Sequence, residues 1–291
     1  MNDTPNVPPG VDPTRPSPAR LYDYYLGGTC NFPADREAAE KMKVLVPDIV
    51  DAMLANRGFH GRASVWLAEH GIRQFIELGS GLPTQNNTHD AVHKVAPGAR
   101  VVYVGDDPMV IAHGGPLRAG DGTTALIEAD WRDPAAVLGH AGLRKLIDFA
   151  EPTGVLITTF IHFVPDESDP WGLVASYMAA VAPGSYLALS HGTYDNILPS
   201  FIQAGVDFYA QATEQVHLRS KAEVERFFDG LELIPPYPGA GPAVTYAGLW
   251  GAEDPVAADT DGSRGIYCGV ARRPGPPDHR ESAPGATGGL R

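Results

Sequence analysis

Short apolar runs alternate with stretches of helical spacing from residue 72 onward. Five of these runs predict buried parallel strands: Gln74–Leu78, Arg100–Val104, Ala125–Glu128, Gly154–Phe160 and Ser185–Leu189. The segments between them carry apolar residues at the spacing of an α-helix: Thr88–Val95, Pro134–Ile147 and Pro170–Ala182. This alternation predicts an α/β fold with a doubly wound, mostly parallel sheet, right-handed crossovers and helices on both faces.

Two further strands are predicted to close this sheet. They are Leu231–Ile234 and Ile266–Ala271, which we expect to pair antiparallel. They follow helical patterns over Asn196–Thr213 and Ser220–Phe228. The predicted sheet therefore has seven strands.

A helical cap is predicted ahead of the sheet. Ser17-Pro18 is typical of a helix start, and further helical patterns run over Glu37–Val46 and Pro47–His70. The two ends of the chain are rich in proline and poor in apolar residues, which is typical of disorder. The predicted division is a disordered tail over 1–16, the cap over 17–71, the sheet domain over 72–272 and a second disordered tail over 273–291.

Composition restricts the partners and the surroundings of the protein. Among 291 residues there are 35 acidic and 22 basic side chains, a net charge of −13 that repels nucleic acid. The two cysteines, Cys30 and Cys268, lie far apart and form no metal-binding spacing, so neither a disulfide framework nor a bound metal is expected. No leader and no run of about 18 apolar residues is found. We therefore expect a cytoplasmic protein with no membrane partner.

A carboxylate and a Gly-x-Gly turn follow the first predicted strand. The residues are Glu77-Leu78-Gly79-Ser80-Gly81, and glycine there lets a ligand approach the backbone. In a doubly wound sheet such a turn lies beside the crevice where ligands bind. The dinucleotide fingerprint needs a third glycine where this chain has Thr84, so a pyrophosphate site is disfavoured.

Acidic residues also follow the second and third predicted strands. Asp106 and Asp107 come after the second strand, and Asp130 with Trp131 comes after the third. Together with Glu77 these acids would line one edge of the sheet, a cleft suited to a positively charged nucleoside such as S-adenosylmethionine. Each aspartate could instead cap a helix, but the joint occurrence favours a ligand site.

Short motifs in a fixed order carry a family resemblance over roughly residues 17–272. They are Ser17-Pro18-Ala19-Arg20-Leu21-Tyr22-Asp23-Tyr24, Leu26-Gly27-Gly28, Asn31-Phe32, Asp35-Arg36, Gly71-Ile72-Arg73-Gln74-Phe75, Gly81-Leu82-Pro83-Thr84, Asn87-Thr88-His89, His162-Phe163-Val164-Pro165-Asp166, Ala182-Pro183-Gly184-Ser185-Tyr186-Leu187 and Arg226-Phe227-Phe228-Asp229-Gly230-Leu231. With these motifs the sequence resembles the actinobacterial S-adenosyl methyltransferase family, class I enzymes once catalogued as a domain of unknown function. The resemblance implies S-adenosylmethionine as cofactor and a Rossmann-like sheet.

The resemblance also implies roles around the cofactor. Gly79, Ser80 and Gly81 would pass under its methionyl part, and Glu77 would organise its amino group. The aromatic and polar residues Tyr22, Tyr25, Asn31 and Phe32 resemble the family's cap, which could close over the cofactor and exclude water. Burial of a helix against the main domain is the alternative role for the aromatic members.

The adenosyl end of the cofactor would meet the second and third strands. Asp130 and Trp131 would flank adenine. Relatives usually carry an acidic residue at the position of Gly105, so the ribose contact would shift to Asp106 or Asp107, of which we favour Asp106.

Two histidines follow the fourth and fifth strands and are candidates for catalysis. His162 and His191 could face the ligand edge of the sheet, where an imidazole can act as a base towards an O–H or N–H acceptor; the alternative is a loop cap. His89 and His93 have the spacing of a zinc-protease helix, but Asp90 replaces the glutamate that follows the first histidine there. A solvated helix face is therefore expected, and no metal site.

The predicted function is in-line methyl transfer from S-adenosylmethionine to a small-molecule acceptor, including secondary metabolites. Thr159-Phe160-Ile161-His162 stands where amino-methylating DNA enzymes carry Asn/Asp-Pro-Pro-Tyr/Phe, and no Pro-Cys pair is present, which disfavours a nucleic-acid acceptor. Two alternatives stay open. One is a non-catalytic binding or regulatory protein with a degenerate cofactor site, and the other is a nicotinamide-dependent oxidoreductase, against which the missing third glycine counts. The sequence does not indicate the oligomeric state.

Overall fold

A mixed sheet of eight strands lies at the centre of the part of the chain that the structure describes. The structure is a computed structural model, and it describes residues 7–83, 87–115, 117, 122–195 and 214–275. The strands are β1 (Gln74–Leu78), β2 (Arg100–Gly105), β3 (Thr124–Glu128), β4 (Gly154–Thr158), β5 (Tyr186–Gly192), β6 (Glu232–Leu233), β7 (Thr245–Tyr246) and β8 (Ile266–Arg272).

The strand order confirms the predicted doubly wound α/β fold. The sheet runs β3-β2-β1-β4-β5-β8-β6, with β7 also paired to β8. Strands β1 to β5 are parallel, and β8 is antiparallel to β5, β6 and β7. The two-residue strand β7 is the eighth strand, which the sequence did not predict. Chain order reverses between β1 and β4, and this reversal creates a crevice at the carboxyl ends of those strands.

The helices between and before these strands follow the predicted order, except that two short helices, over Pro108–His113 and Pro255–Ala258, were not predicted. They are α1 (Pro18–Tyr25), α2 (Pro33–Leu45), α3 (Ile49–Glu69), α4 (Thr88–Val92), α5 (Pro108–His113), α6 (Pro134–Gly139), α7 (Ala141–Leu146), α8 (Pro170–Ala180), α9 (Lys221–Glu225) and α10 (Pro255–Ala258). The single helix predicted over Pro134–Ile147 is two helices, because His140 is extended and its Nδ1 accepts from Gly142 N at 3.0 Å. The helix predicted over 196–213 lies outside the described residues. No helix within those residues is long and apolar enough to cross a membrane.

Alternate residues of the central strands face two separate apolar layers, as the pleat of a strand requires. Ile76 and Val102 belong to the layer that also contains residues of α6, α7 and α8. Their neighbours Phe75 and Val101 belong to the layer that contains Phe59 and other residues of α3. All five residues of β1 are buried, including the polar Gln74 and Glu77, so both faces of this central strand are covered.

The predicted cap and sheet domain share a helix. Helix α3 is unbroken, and its residues Phe59, Ala63 and Leu67 are fully buried in the layer against the sheet. The predicted boundary at residue 71 therefore separates no independent unit: α3 is part of the sheet's covering layer, and α1 and α2 form the cap over it. A buried ion pair joins α1 to α2, with Arg20 Nε 2.8 Å from Asp35 Oδ2.

Residues 7–16, predicted as part of a disordered tail, instead lie against the cap and α5. Arg20 Nη2 donates to the carbonyl oxygen of Asp12 at 3.1 Å, and Val11 packs against a cluster that contains Phe32 and Met109. At the other end, the backbone of Arg273 pairs with Ser185 and Gly184. The remaining tail residues, 1–6 and 276–291, lie outside the described residues.

Candidate active site

A cavity lies at the carboxyl ends of β1, β4 and β5, under α1, α2 and α3. It occupies the crevice at the reversal of strand order, the position at which open α/β sheets bind ligands. The residues that line it from the strand ends are Glu77, Gly79, Ser80, Gly81, Thr158, Thr159, Phe160, Gly192 and Thr193. The residues that line it from the helices include Leu21, Tyr22, Tyr25, Met42, Ile49, Met53 and Arg57.

The turn after β1 is shaped for close approach of a ligand. Gly79 has φ +70°, and a Cβ at this position would lie 2.0 Å from Cδ1 of Phe160. Ser80 N donates to the carbonyl oxygen of Val104 at 3.0 Å, while its hydroxyl is buried with no hydrogen-bond partner among the described residues. A Cβ at Gly81 would meet no described atom within 4 Å, whereas Phe160 fills the space at Gly79. Within the described residues, the turn therefore offers open backbone at Gly81 and an unpartnered hydroxyl at Ser80.

Glu77 is held by a chain of hydrogen bonds that joins four elements, β1, α4, α3 and β4. Thr88 Oγ1 donates to Glu77 Oε2 at 2.5 Å, and His60 Nε2 lies 2.8 Å from the same hydroxyl. His60 Nδ1 lies 3.0 Å from Thr158 Oγ1. Burial lowers the pKa of His60 to about 3, so this ring is neutral and bridges the two threonines. The chain fixes the carboxylate against β1, α4 and β4.

Arg57 is a second charged group at this end of the cavity, and sequence reasoning missed it. It lies on α3 in an otherwise unremarkable helical pattern, so only tertiary packing brings it to Glu77. Burial raises the pKa of the Glu77 carboxyl, while the Thr88 hydrogen bond and the Arg57 charge oppose that rise. The described lining thus carries one acidic and one basic group side by side.

The acidic residues after β2 and β3 gather around Arg132. Its guanidinium lies 3.7 Å from Asp106 Oδ2, 3.4 Å from Asp130 Oδ1 and 3.3 Å from Glu214 Oε2. Burial raises the pKa of Asp106 and of Glu214, and the Arg132 charge opposes both shifts. Three carboxylates share one cation, so the cluster is negative, but it is not among the residues that line the cavity.

Asp107 and Trp131 have structural partners. Asp107 Oδ1 accepts from Met109 N at 2.7 Å and so caps α5, and Asp107 Oδ2 accepts from Ser17 Oγ at 3.3 Å. Trp131 is 1% exposed and packs edge-on against Phe160, with ring centroids 4.8 Å apart. Asp107 thus caps a helix, which was the alternative role considered for these aspartates. The Trp131 ring lies in the core beside the cavity.

Of the cap residues singled out, Tyr22 reaches the cavity and Asn31 does not. The Tyr22 hydroxyl accepts from Asn56 Nδ2 at 2.9 Å, and the same amide nitrogen donates to Thr159 Oγ1 at 2.9 Å. Asn31 Nδ2 donates to Asp23 Oδ2 at 2.9 Å and so ties the loop after α1 to that helix. Thr159 has φ +50°, a left-handed conformation that is uncommon for threonine and is held by this network.

The two candidate histidines occupy different environments. His162 lines the cavity, and burial with the charge of Arg219 lowers its pKa to about 3. His191 is fully buried and does not line the cavity. Its Nδ1 lies 2.7 Å from the carbonyl oxygen of Gly192, and its Nε2 lies 2.7 Å from Arg219 Nη1. Both ring nitrogens of His191 are therefore engaged, whereas His162 is accessible to a ligand.

The described residues contain no group of three or more His, Cys, Asp or Glu side chains that could hold a metal ion. His89 and His93, the pair with zinc-protease spacing, have other partners. His89 Nδ1 lies 2.7 Å from the Tyr103 hydroxyl, and His93 Nε2 lies 2.8 Å from the carbonyl oxygen of Ala99. Both rings are therefore hydrogen-bonded within the protein, and the His89 side chain is only 12% exposed, so the expectation of a solvated helix face is wrong for His89.

Comparison with known proteins gives the family. The model of a family described as S-adenosyl methyltransferase matches residues 5–274. A solved DUF574-family protein from Streptomyces avermitilis is 39% identical, with a TM-score of 0.82 over 89% of this chain and 98% of its own. A proposed methyltransferase from Thermobifida fusca is 38% identical, with a TM-score of 0.83 over 92% of this chain and 98% of its own. No curated protein matches the sequence. The chain belongs to the S-adenosyl methyltransferase family, as its motifs predicted.

Proposed function

We propose that the protein transfers the methyl group of S-adenosylmethionine to a small-molecule acceptor that binds in the same cavity. The observation that carries this proposal is the division of the cavity under α1–α3. Its only charged described residues are Arg57 and Glu77, which interact electrostatically, and the rest of the described lining is uncharged. The zwitterionic methionyl end of the cofactor would thus bind at the charged residues, and the acceptor would bind in the uncharged part of the cavity.

The residues at the turn fit the methionyl part of the cofactor. An α-amino acid group carries an ammonium and a carboxylate, which complement Glu77 and Arg57. The Ser80 hydroxyl, which has no partner among the described residues, supplies a hydrogen-bonding atom, and the space that those residues leave open at Gly81 gives room for close approach. Asp106 is proposed for the ribose, because Asp107 is already used in capping α5. Asp106 does not line the cavity, so the adenosyl part of the cofactor would have to extend beyond it towards the ends of β2 and β3.

When bound, the cofactor would supply an electrophilic methyl group on a sulfonium. The chain's own residues then have to align the acceptor and exclude water, since in-line displacement needs positioning more than acid–base chemistry. Tyr22 and Tyr25 lie over the strand ends on the cap, where they would shield the reacting atoms. The Asn56 bridge between Tyr22 and Thr159 holds the cap to the end of β4.

A small acceptor is proposed because the cavity is covered by the cap and lined mostly by apolar side chains. A macromolecular acceptor would need an open surface around the methyl donor. The negative net charge argues in the same direction against nucleic acid.

Thermal unfolding with two ligands, S-adenosylhomocysteine and NAD, tests the proposal. S-adenosylhomocysteine at about 100 times its Kd should stabilise the protein by about 2.7 kcal/mol, a melting shift of several degrees. NAD should produce no shift, because the turn lacks the third glycine of a dinucleotide site. Stabilisation by NAD alone would indicate an oxidoreductase, and no shift with either ligand would indicate a cofactor site that has decayed.

A further inference from the structure

Apart from Arg57 and Glu77, the part of the cavity that the described residues line is uncharged and rich in aromatic side chains. Phe160 and Phe163 line it from the segment after β4, and Tyr22 and Tyr25 line it from the cap. Aromatic walls favour aromatic ligands through edge-on and offset contacts. A formal charge on a ligand here would be removed from water with no described partner of opposite sign, which is costly.

His162 supplies a polar atom in this region. Its ring meets Phe163 edge-on at a centroid distance of 4.4 Å and His191 edge-on at 5.7 Å, so its plane is fixed from two sides. Nδ1 is shielded and has no partner among the described residues, and a Cβ at Gly192 would lie 3.7 Å from it. Nε2 is the nitrogen left accessible, and it has no protein partner within the same residues.

Arg219 stabilises this arrangement from beneath the cavity. It is 1% exposed, and its guanidinium donates to His191 Nε2 at 2.7 Å and to the carbonyl oxygen of Val164 at 2.8 Å. Both partners are neighbours of His162. The ring of His191 contacts the ring of His162, and Val164 lies two residues after His162 in the chain. The Arg219 charge and burial also keep the pKa of His162 near 3, so its imidazole is neutral under ordinary conditions.

We propose that this region is the acceptor subsite, that it takes an uncharged aromatic molecule bearing a hydroxyl group, and that Nε2 of His162 hydrogen-bonds that hydroxyl. The assignment rests on the proposed function, since it names the acceptor class for the same cavity. A hydroxyl can donate or accept, so it suits either neutral tautomer of His162. Arg219 is a positioning residue in this arrangement and does not touch the acceptor.

Calorimetric titration with 2-naphthol, on protein saturated with S-adenosylhomocysteine, tests the subsite. 2-Naphthoate serves as the charged probe of similar shape. We expect 2-naphthol to bind at least tenfold more tightly than 2-naphthoate. Equal or tighter binding of the carboxylate, or no binding of 2-naphthol at about 1 mM, would overturn the proposed acceptor class.

Three variants test the proposed hydrogen bond between His162 and the acceptor hydroxyl. His162→Ala should weaken 2-naphthol binding about threefold to tenfold, as loss of one hydrogen bond predicts, and leave S-adenosylhomocysteine binding unchanged. His162→Gln should recover part of the loss, and His93→Ala, which lies outside the cavity lining, should have no effect. Unchanged 2-naphthol affinity in His162→Ala would refute the role of His162.

The design separates the two proposals. If S-adenosylhomocysteine fails to bind, the proposed function fails. The 2-naphthol titrations can be repeated without that ligand, and they still report on the subsite. If S-adenosylhomocysteine binds while 2-naphthol does not, only the acceptor subsite is refuted.

Discussion

The ring of Phe160 occupies the space that a side chain at Gly79 would need. The missing Cβ would lie 2.0 Å from Cδ1 of Phe160, and Gly79 has φ +70°. The turn after β1 and the segment after β4 therefore pack closely against each other in the lining of the cavity. The contact lies at the ends of the two paired strands between which the chain order reverses.

Gly79→Ala is expected to destabilise the protein by about 2–5 kcal/mol, because alanine disfavours a left-handed backbone and would displace a packed ring. Chemical denaturation measures the change. Gly81→Ala is the matched control: its Cβ meets nothing within 4 Å, so the free energy of unfolding should change by less than about 0.5 kcal/mol. Equal effects of the two substitutions would contradict the interlocked geometry.

The two aspartates after β2 should have different roles, Asp106 in cofactor binding and Asp107 in stability. Asp106→Ala should weaken S-adenosylhomocysteine binding about tenfold with little effect on stability, because Asp106 is proposed to contact the ribose and 43% of its side chain is exposed. Asp107→Ala should cost about 1 kcal/mol of stability through loss of the α5 cap and leave affinity unchanged. Calorimetry and denaturation on both variants check this. The reverse pattern would move the ribose contact to Asp107.

Stability should fall as the solution is acidified below pH 6.5, the ordinary pKa of histidine. His60 has a pKa of about 3 in the folded protein, so the unfolded chain binds the additional proton between these values. Each such histidine removes about 1.4 kcal/mol per pH unit in that interval. The raised pKa of Glu77 acts in the opposite direction, because the folded state then binds the proton more tightly.

His60→Gln isolates this contribution. The variant should be less stable than the wild type at pH 7, because the bridge between Thr88 and Thr158 is disturbed. Its free energy of unfolding should nevertheless fall less steeply between pH 6 and pH 4. The slope should be smaller than that of the wild type by up to about 1.4 kcal/mol per pH unit, the contribution of one proton. Urea denaturation at a series of pH values measures both. An unchanged slope would mean that His60 is not held neutral.

The central strands could be predicted because their residues alternate between two buried faces. Phe75 and Ile76 illustrate the pattern, one packed against α3 and the other against the opposite helical layer. Strand β7 is only two residues long and is defined by its pairing with β8, so no local pattern indicates it. Residues 7–16 look disordered by composition, yet the backbone of Asp12 is bound by Arg20, a contact that depends on the folded cap.

The sequence predicts the parts of the site that the backbone forms at the end of β1. It does not predict which side chains from other elements point into the cavity. The turn at Gly79 and the carboxylate of Glu77 follow from the end of β1, and both line the cavity. Arg57 depends on the packing of α3, and nothing in the helical pattern marks it. Trp131 follows β3 as expected, whereas His191, which was predicted to follow the fifth strand, lies within β5. Both side chains are buried beside the cavity, since sequence position alone does not fix where a side chain points.

Glu77→Gln tests the charge at the methionyl end. The amide oxygen can still accept from Thr88, so packing should survive, while the attraction for an ammonium is lost. We expect affinity for S-adenosylmethionine to fall at least tenfold, with stability unchanged or higher because a buried charge is removed. A variant that binds as tightly as the wild type would exclude Glu77 from cofactor recognition.

Calorimetric titration of the wild-type protein with S-adenosylmethionine tests the central claim most directly. We predict saturable binding to one site per chain, with a dissociation constant in the micromolar range, about −8 kcal/mol. No measurable heat with the cofactor at about 1 mM, in a protein that is otherwise folded, would contradict the assignment of this cavity to methyl transfer.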